Sequence, residues 1–273
     1  MMNNKINNSR KNFEKLGTIY NGAENIVITK ETFEHVTCYW FNKKEIARTN
    51  KLIIYLHGGC FVLGSIKSHQ SLVSHLSEHL ELPILFIEYS LAPEKPFPSA
   101  INEIGSVYNH ILLQYPESDI IFMGDSAGAG LAVSVLSKLN IEGIKYPSHL
   151  VMFSPWIDLT CSNESLTKNA DNDPILTKKA LLNYASLYAS NDYLSDANPI
   201  EAKFEKYPPT LILVGSGEIL LDDSKSIYNK IACVQEKVKF SIYDNLNHVW
   251  MLENIHTKES EKTLSEIKDF IRD

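Results

Sequence analysis

Residues 124–128, Gly124-Asp125-Ser126-Ala127-Gly128, decide how this chain is read, because of what flanks them. Before them lies an apolar segment of strand character, Asp119 to Met123, and after them a helix-like one, Leu131 to Leu139. A serine at the apex of a tight strand-to-helix turn is a candidate nucleophile elbow, in which the residues two before and two after must be nearly free of side chain to avoid collision. Gly124 and Gly128 meet that demand. Such a turn lifts the Ser126 hydroxyl clear of the strand and sets the backbone N–H of Ala127 at the mouth of a helix, where a developing negative charge is favoured. The pentapeptide alone also fits a plain tight turn, so the rest of the chain has to decide.

Outward from this segment, apolar runs of strand length alternate with longer amphipathic ones from Asn50 onward, the pattern of crossover units on a mostly parallel sheet. Strands are predicted at Leu52 to Leu56, Ile84 to Tyr89, Ile120 to Met123, Leu150 to Phe153, Leu211 to Val214 and Lys239 to Tyr243. Helices are predicted at His69 to Leu80, Ser99 to Gln114, Leu131 to Leu139, Asp222 to Val234 and Thr257 to Ile271. Alternation over His35 to Phe41 predicts one or two antiparallel strands leading into the sheet, and residues near 5 to 17 suit a short helix. Between Leu159 and Tyr207 the alternation fails: a polar stretch, Ser162 to Asp173, precedes a helical one, Leu176 to Ala189, and an Asn/Asp/Pro-rich loop. This suits an insertion above the sheet. With no repeat and no low-complexity linker, residues 1–273 are expected to form one α/β domain, with lid elements from about 1–20 and 160–207.

Composition narrows the partners. A 44% hydrophobic content over 273 residues supports a sizeable core, and a formal charge of −7 argues against nucleic acid or an anionic membrane as the main partner. Small neutral substrates remain open. Met1 to Asn12 contain no apolar run, so neither a secretory signal nor a membrane span is expected. Cys38, Cys60, Cys161 and Cys233 are scattered with no Cys-x-x-Cys pair, which predicts reduced thiols and a cytoplasmic protein.

His57-Gly58-Gly59-Cys60 follows directly on the first central strand, at the carboxyl end where ligands bind in open α/β sheets. Adjacent glycines let backbone N–H groups turn toward a substrate oxygen, as an oxyanion hole requires. A serine hydroxyl also needs a base, and histidine serves best near neutral pH. On such an elbow the chain order is nucleophile, acid, histidine, which leaves His248 and His256 of nine histidines. His248 lies in a turn just after a strand, whereas His256 opens the last helix and is expected to be solvated. The acid should follow the strand Leu211 to Val214. Glu218 is nearest the strand end, while Asp222 and Asp223 suit the first turn of a helix. Glu218 would accept Nδ1–H from His248 and fix its tautomer. His75 and His79, four apart on a helix that also carries His69, have a metal-pair spacing, but no carboxylate or cysteine completes a zinc site, and a solvated face is expected there. Tyr184 to Tyr193 are expected to pack the lid on the body.

With these residues identified, the chain resembles the hormone-sensitive lipase-like branch of α/β-hydrolase esterases from about Asn50 onward. The likeness rests on several motifs in order: Tyr55 to Cys60, Tyr89-Ser90-Leu91-Ala92-Pro93-Glu94, Gly124 to Gly128, Ser154-Pro155-Trp156-Ile157-Asp158-Leu159, and the Glu218 and His248 loops. The resemblance implies an α/β-hydrolase fold with a helical cap, and carboxylic-ester hydrolysis through an acyl-serine intermediate with no metal or organic cofactor. Carried over by position, Ser126 is the nucleophile, Glu218 the acid and His248 the base, with an oxyanion hole from Gly58, Gly59, Cys60 and Ala127. It implies a small ester substrate; dimers are common in the branch, so a homodimer is allowed, though no residue compels one. Lactone and amide hydrolysis would use the same machinery, and a receptor that holds a ligand without turnover would be expected to have lost one of the three residues. Cys60 departs from the glycine usual at its position. Its N–H survives, but its side chain projects where an acyl group lies, which predicts a preference for short acyl chains, and a positive φ there would cost about 1 kcal/mol. The N-terminal region is short for a two-helix cap segment, which predicts an open site.

Overall fold

The computed structural model describes residues 2–44, 50–116 and 118–272. Along the chain come α1 (Met2–Phe13), a 3₁₀ turn over Glu14–Thr18, a hairpin of β1 (Ile26–Phe33) and β2 (Val36–Lys43), then β3 (Lys51–Leu56), α2 (Ile66–Leu80), β4 (Ile84–Glu88), α3 (Ser99–Gln114), β5 (Asp119–Asp125), α4 (Ala127–Glu142) and β6 (His149–Phe153). After β6 three helices, α5 (Ser165–Lys168), α6 (Lys178–Tyr188) and α7 (Leu194–Ala197), follow one another without an intervening strand, before β7 (Thr210–Gly215), α8 (Leu221–Ala232), β8 (Val238–Tyr243) and α9 (Lys258–Phe270).

The strands form one sheet in the order β1-β2-β4-β3-β5-β6-β7-β8. β1 and β2 are antiparallel to their neighbours, and every pair from β4 to β8 is parallel. The central strands are continuous apolar runs because both sheet faces are covered. Ile54, Leu56 and Phe122 face one core, shared with α3, α4 and α8, while Ile53, Tyr55, Ile121 and Met123 face the other, shared with α2 and α9. This is the expected α/β architecture, a mostly parallel sheet flanked by helices.

The six strands predicted from apolar runs all form, and α3 has the predicted bounds. Of the helices predicted from Asn50 onward, two start three or more residues early. α2 begins at Ile66 because Ser65 and Ser68 form a reciprocal capping box. α4 begins at Ala127, earlier than its periodic part, because its first turn, Ala127 to Gly130, is buried all round and carries no amphipathic signal. The parallel strands bring their carboxyl ends, and the loops beginning at residues 57, 126, 154, 216 and 244, to one edge of the sheet.

Candidate active site

Ser126 stands between β5 and α4 with φ 51° and ψ −121°, a strained backbone for a residue other than glycine. Its own N–H donates to Phe153 O at 2.8 Å, and its carbonyl accepts from Trp156 N at 3.1 Å, so β6 grips the turn from the side. The flanking glycines are needed for close approach. A Cβ on Gly128 would overlap the carbonyl oxygen of Leu56, and one on Gly124 would stand 2.9 Å from both Leu56 O and the Gly128 carbonyl carbon.

The three residues expected to act together meet. Ser126 Oγ donates to His248 Nε2 at 2.9 Å, and His248 Nδ1 donates to Glu218 Oε2 at 2.7 Å. The second carboxylate oxygen, Oε1, accepts from Gly215 N at 2.6 Å and Ser154 Oγ at 2.7 Å. Glu218 is 1% exposed, and a buried carboxylate is tolerated only when so thoroughly partnered. Burial alone would lower the proton affinity of His248. The hydrogen bond and charge of Glu218 outweigh it, Asp173 and Asp125 add to them, and the imidazole pKa is raised above its ordinary value.

Ser154 was not singled out from the sequence as a site residue. Its hydroxyl donates to Glu218 and accepts the Val249 N–H at 3.2 Å, joining the acid to the histidine loop. The available signal was its position immediately past the end of β6, at the same sheet edge as Ser126.

The loop after β3 turns sharply, with φ of 117°, 55° and 63° at Gly59, Cys60 and Phe61. Gly59 O accepts from Val62 N and Leu63 N, and Phe61 O accepts from Ala92 N at 2.9 Å. Among the described residues, the N–H groups of Gly59, Cys60 and Ala127 have no hydrogen-bond partner. Gly58 differs from expectation: its N–H donates to Asp125 Oδ1 at 3.0 Å and is thereby withdrawn from the candidate oxyanion donors. The same oxygen accepts from Tyr55 OH at 2.9 Å, so Asp125 pins the loop to the elbow from beneath. From α1, Arg10 donates to Val62 O at 2.8 Å and Ala92 O at 2.9 Å, and forks onto Glu94. The N-terminal segment thus lays a helix against this loop, and Ser126 is only 5% exposed.

The other candidates fall outside the relay. His256 is exposed, its ring 5.1 Å from that of His75. His69 corrects the expectation of a solvated helix face: it is fully buried, with Nε2 3.4 Å from Asp125. Its spacing to Leu72, Val73, Leu76 and Leu80 places it on the apolar stripe of α2, a signal the His-pair pattern obscured. Burial, and secondarily the neighbouring His69, push the pKa of His57 down to about 3, so this ring, stacked on Tyr89 at 4.2 Å, is a neutral core group. Asp222 and Asp223 occupy the first turn of α8 as expected. Asp223 also accepts from Ile157 N and Asp158 N at 2.8 Å each, and burial raises its pKa to about 6. Among the described residues no cluster of three or more His, Cys, Asp or Glu could hold a metal ion. Tyr188 packs as expected, stacked on Phe61 at 4.0 Å, while Tyr193 is exposed.

The fold and the sequence both recur in known proteins. Residues 53–252, well over half of the chain, match the family described as the alpha/beta hydrolase fold. An esterase of Acinetobacter venetianus is 36% identical over 231 residues, covering 83% of this chain and 76% of that protein. An acetyl-hydrolase of Streptomyces hygroscopicus is 34% identical over 222 residues, covering 80% of this chain and 74% of its own. The crystal structure of an esterase from the bacterial hormone-sensitive lipase family aligns with a TM-score of 0.92 at 31% identity, over 98% of this chain and 91% of that one. The chain therefore belongs to the α/β-hydrolase family, in its hormone-sensitive lipase-like branch.

Proposed function

We propose that this protein is a serine carboxylesterase that hydrolyses small, short-acyl esters through an acyl-serine intermediate. The observation that carries the proposal is the unbroken relay from Ser126 through His248 to Glu218, at 2.9 and 2.7 Å, beside three backbone N–H groups left without partners among the described residues. Esterase and acetyl-hydrolase relatives support the same reaction class.

In this mechanism Ser126 Oγ attacks the ester carbonyl carbon as its proton passes to His248 Nε2. Negative charge gathers on the former carbonyl oxygen, where Gly59, Cys60 and Ala127 N–H groups receive it, the last at the N-terminus of α4. Glu218 stabilises the imidazolium without taking its proton. The tetrahedral centre collapses, the C–O bond to the alcohol breaks, and His248 protonates the departing alkoxide. Water then attacks the acyl-serine, with His248 again as base, and releases the acid. The steps balance without metal or organic cofactor.

The short-acyl preference rests on Cys60, whose buried side chain stands on the loop that presents the oxyanion donors. We assign residues 1–273 to one catalytic domain, in which segments from about 1–20 and 160–207 serve as the cap. Arg10 on the oxyanion loop and Tyr188 on Phe61 support that assignment. Four unpaired cysteines suit a cytoplasmic setting. No helix among the described residues is long and apolar enough to cross a membrane.

Ser126→Ala tests the assignment directly. Turnover of p-nitrophenyl acetate should fall by a factor on the order of 10⁶, with an unchanged circular dichroism spectrum. A folded variant that keeps wild-type turnover would reject Ser126 as nucleophile.

A further inference from the structure

The loop that carries Glu218 depends for its shape on a segment far from it in sequence. Past Gly215, where β7 ends, its internal backbone bonds are long: Glu218 N to Gly215 O and Leu221 N to Glu218 O, both 3.3 Å. Shorter bonds arrive from the segment between β6 and β7. Asn169 Nδ2 donates to Glu218 O at 2.8 Å and to Ser216 O at 3.2 Å. Asp173 Oδ2 accepts from Ile219 N at 3.0 Å, and Ser165 Oγ donates to Ile219 O at 2.7 Å. The peptide group that follows Glu218 is thus held from outside the loop at both its carbonyl and its N–H, and the Ser216 carbonyl is held two residues before it.

Asn169 is placed for this by its own backbone. It ends α5, and its carbonyl accepts from Asn172 N and Asp173 N at 3.0 Å each, which folds the next turn back toward the acid loop. Asp173 is buried, and its other oxygen accepts from Ile175 N and Leu176 N at 2.9 Å each, so its carboxylate is fixed from two sides.

We propose that Asn169 and Asp173 are positioning residues for the acid of the relay, setting the Glu218 backbone so that its carboxylate meets His248 Nδ1. The inference rests on the esterase relay proposed above and gives the segment after β6 a part in the chemistry as well as in covering the site. A carboxylate-to-imidazole bond of 2.7 Å leaves little slack, and misplacing a reacting geometry by an ångström costs on the order of 100-fold in rate. Asp173 acts twice, through the Ile219 N–H and through its negative charge. Three carboxylates from three elements act on His248 through their charge: Glu218 after β7, which also bonds its Nδ1, Asp173 after α5, and Asp125 at the end of β5.

The test uses the full chain with Asn169→Ala, Asn169→Asp and Asp173→Asn, and Leu182→Ala on the exposed side of α6 as control. Two readouts are taken on folded protein. The first is the downfield proton resonance of His248 Nδ1–H, which reports the bond to Glu218 without any turnover. The second is kcat and KM for p-nitrophenyl acetate. Asn169→Ala and Asn169→Asp should broaden or move the resonance upfield and lower kcat roughly 10- to 100-fold with KM within about twofold, since neither side chain can donate to the two carbonyls. Asp173→Asn keeps the shape but loses the charge and one of the two acceptor oxygens, so it should lower the pH midpoint of the His248 titration and broaden the resonance. A melting temperature that falls while resonance and kcat per folded molecule stay at wild type would leave these residues a purely structural role and overturn the inference. So would wild-type behaviour throughout. If Asn169→Ala does not fold, the near-isosteric Asn169→Asp and Asp173→Asn decide. If the wild-type protein is inert toward the ester, the esterase proposal falls, yet the resonance still decides the positioning one.

Discussion

At the scale of single residues, Cys60 is the side chain on which the proposed short-acyl preference rests. Its φ of 55° is the left-handed backbone that glycine adopts freely, so the side chain is kept against a local cost of about 1 kcal/mol. Burial pushes its thiol up to about 12, which leaves it a neutral, space-filling group at neutral pH. Cys60→Gly should therefore raise the hydrolysis of p-nitrophenyl hexanoate relative to acetate by about tenfold, the worth of about one or two methylenes in a pocket. An unchanged ratio would remove Cys60 from the acyl pocket. The residues that sequence patterns miss share a physical reason. Ser154, Asn169 and Asp173 are polar side chains in irregular loops, where no period or motif spacing marks which backbone group they will meet. Ser126, Glu218 and His248 were legible because each follows a strand, in the order that the topology of this fold carries.

At the scale of elements, the strands were legible because a parallel strand covered on both faces reads as an unbroken apolar run. What such a run does not encode is its neighbour. That β2 pairs with β4, placing β4 between β2 and β3, depends on crossovers no local pattern records. The same limit hid the task of α1. Its sequence is mostly polar, yet Arg10 crosses to two carbonyls of distant loops. The fork onto exposed Glu94 adds little, whereas the bonds to Val62 O and Ala92 O anchor a loop with three successive positive φ angles. Arg10→Met should cost about 1–3 kcal/mol and speed amide exchange across residues 57–64, measured by hydrogen–deuterium mass spectrometry. Exchange at the wild-type rate in that peptide would show the loop to be indifferent to the helix.

At the scale of the molecule, the relay links protonation to both rate and stability. The pKa of His248 is raised above its ordinary 6.5, and a base must be neutral to act. The acid limb of kcat/KM should therefore have its midpoint above 6.5, and Glu218→Gln should move it down and reduce the plateau. Stability runs the other way. A histidine that binds its proton more tightly when folded contributes stability that is full below the unfolded midpoint, near 6.5, and is lost as pH rises through the folded one. Melting temperature should thus decline over that window in the wild type and flatten in Glu218→Gln, as followed by calorimetry. Equal slopes in the two proteins would uncouple the imidazole from Glu218.

The spacing of Ser126 and His248, 122 positions apart and on opposite sides of the β6-to-β7 excursion, also bears on how the protein is made. A chain emerging from the ribosome presents its hydroxyl and its glycine-rich loop long before the imidazole exists, and the strand that must place that imidazole lies at one edge of the sheet. On the proposed mechanism a nascent chain carries a disarmed serine through synthesis, and the recovery of hydrolysis after dilution from denaturant should report the docking of that last edge strand.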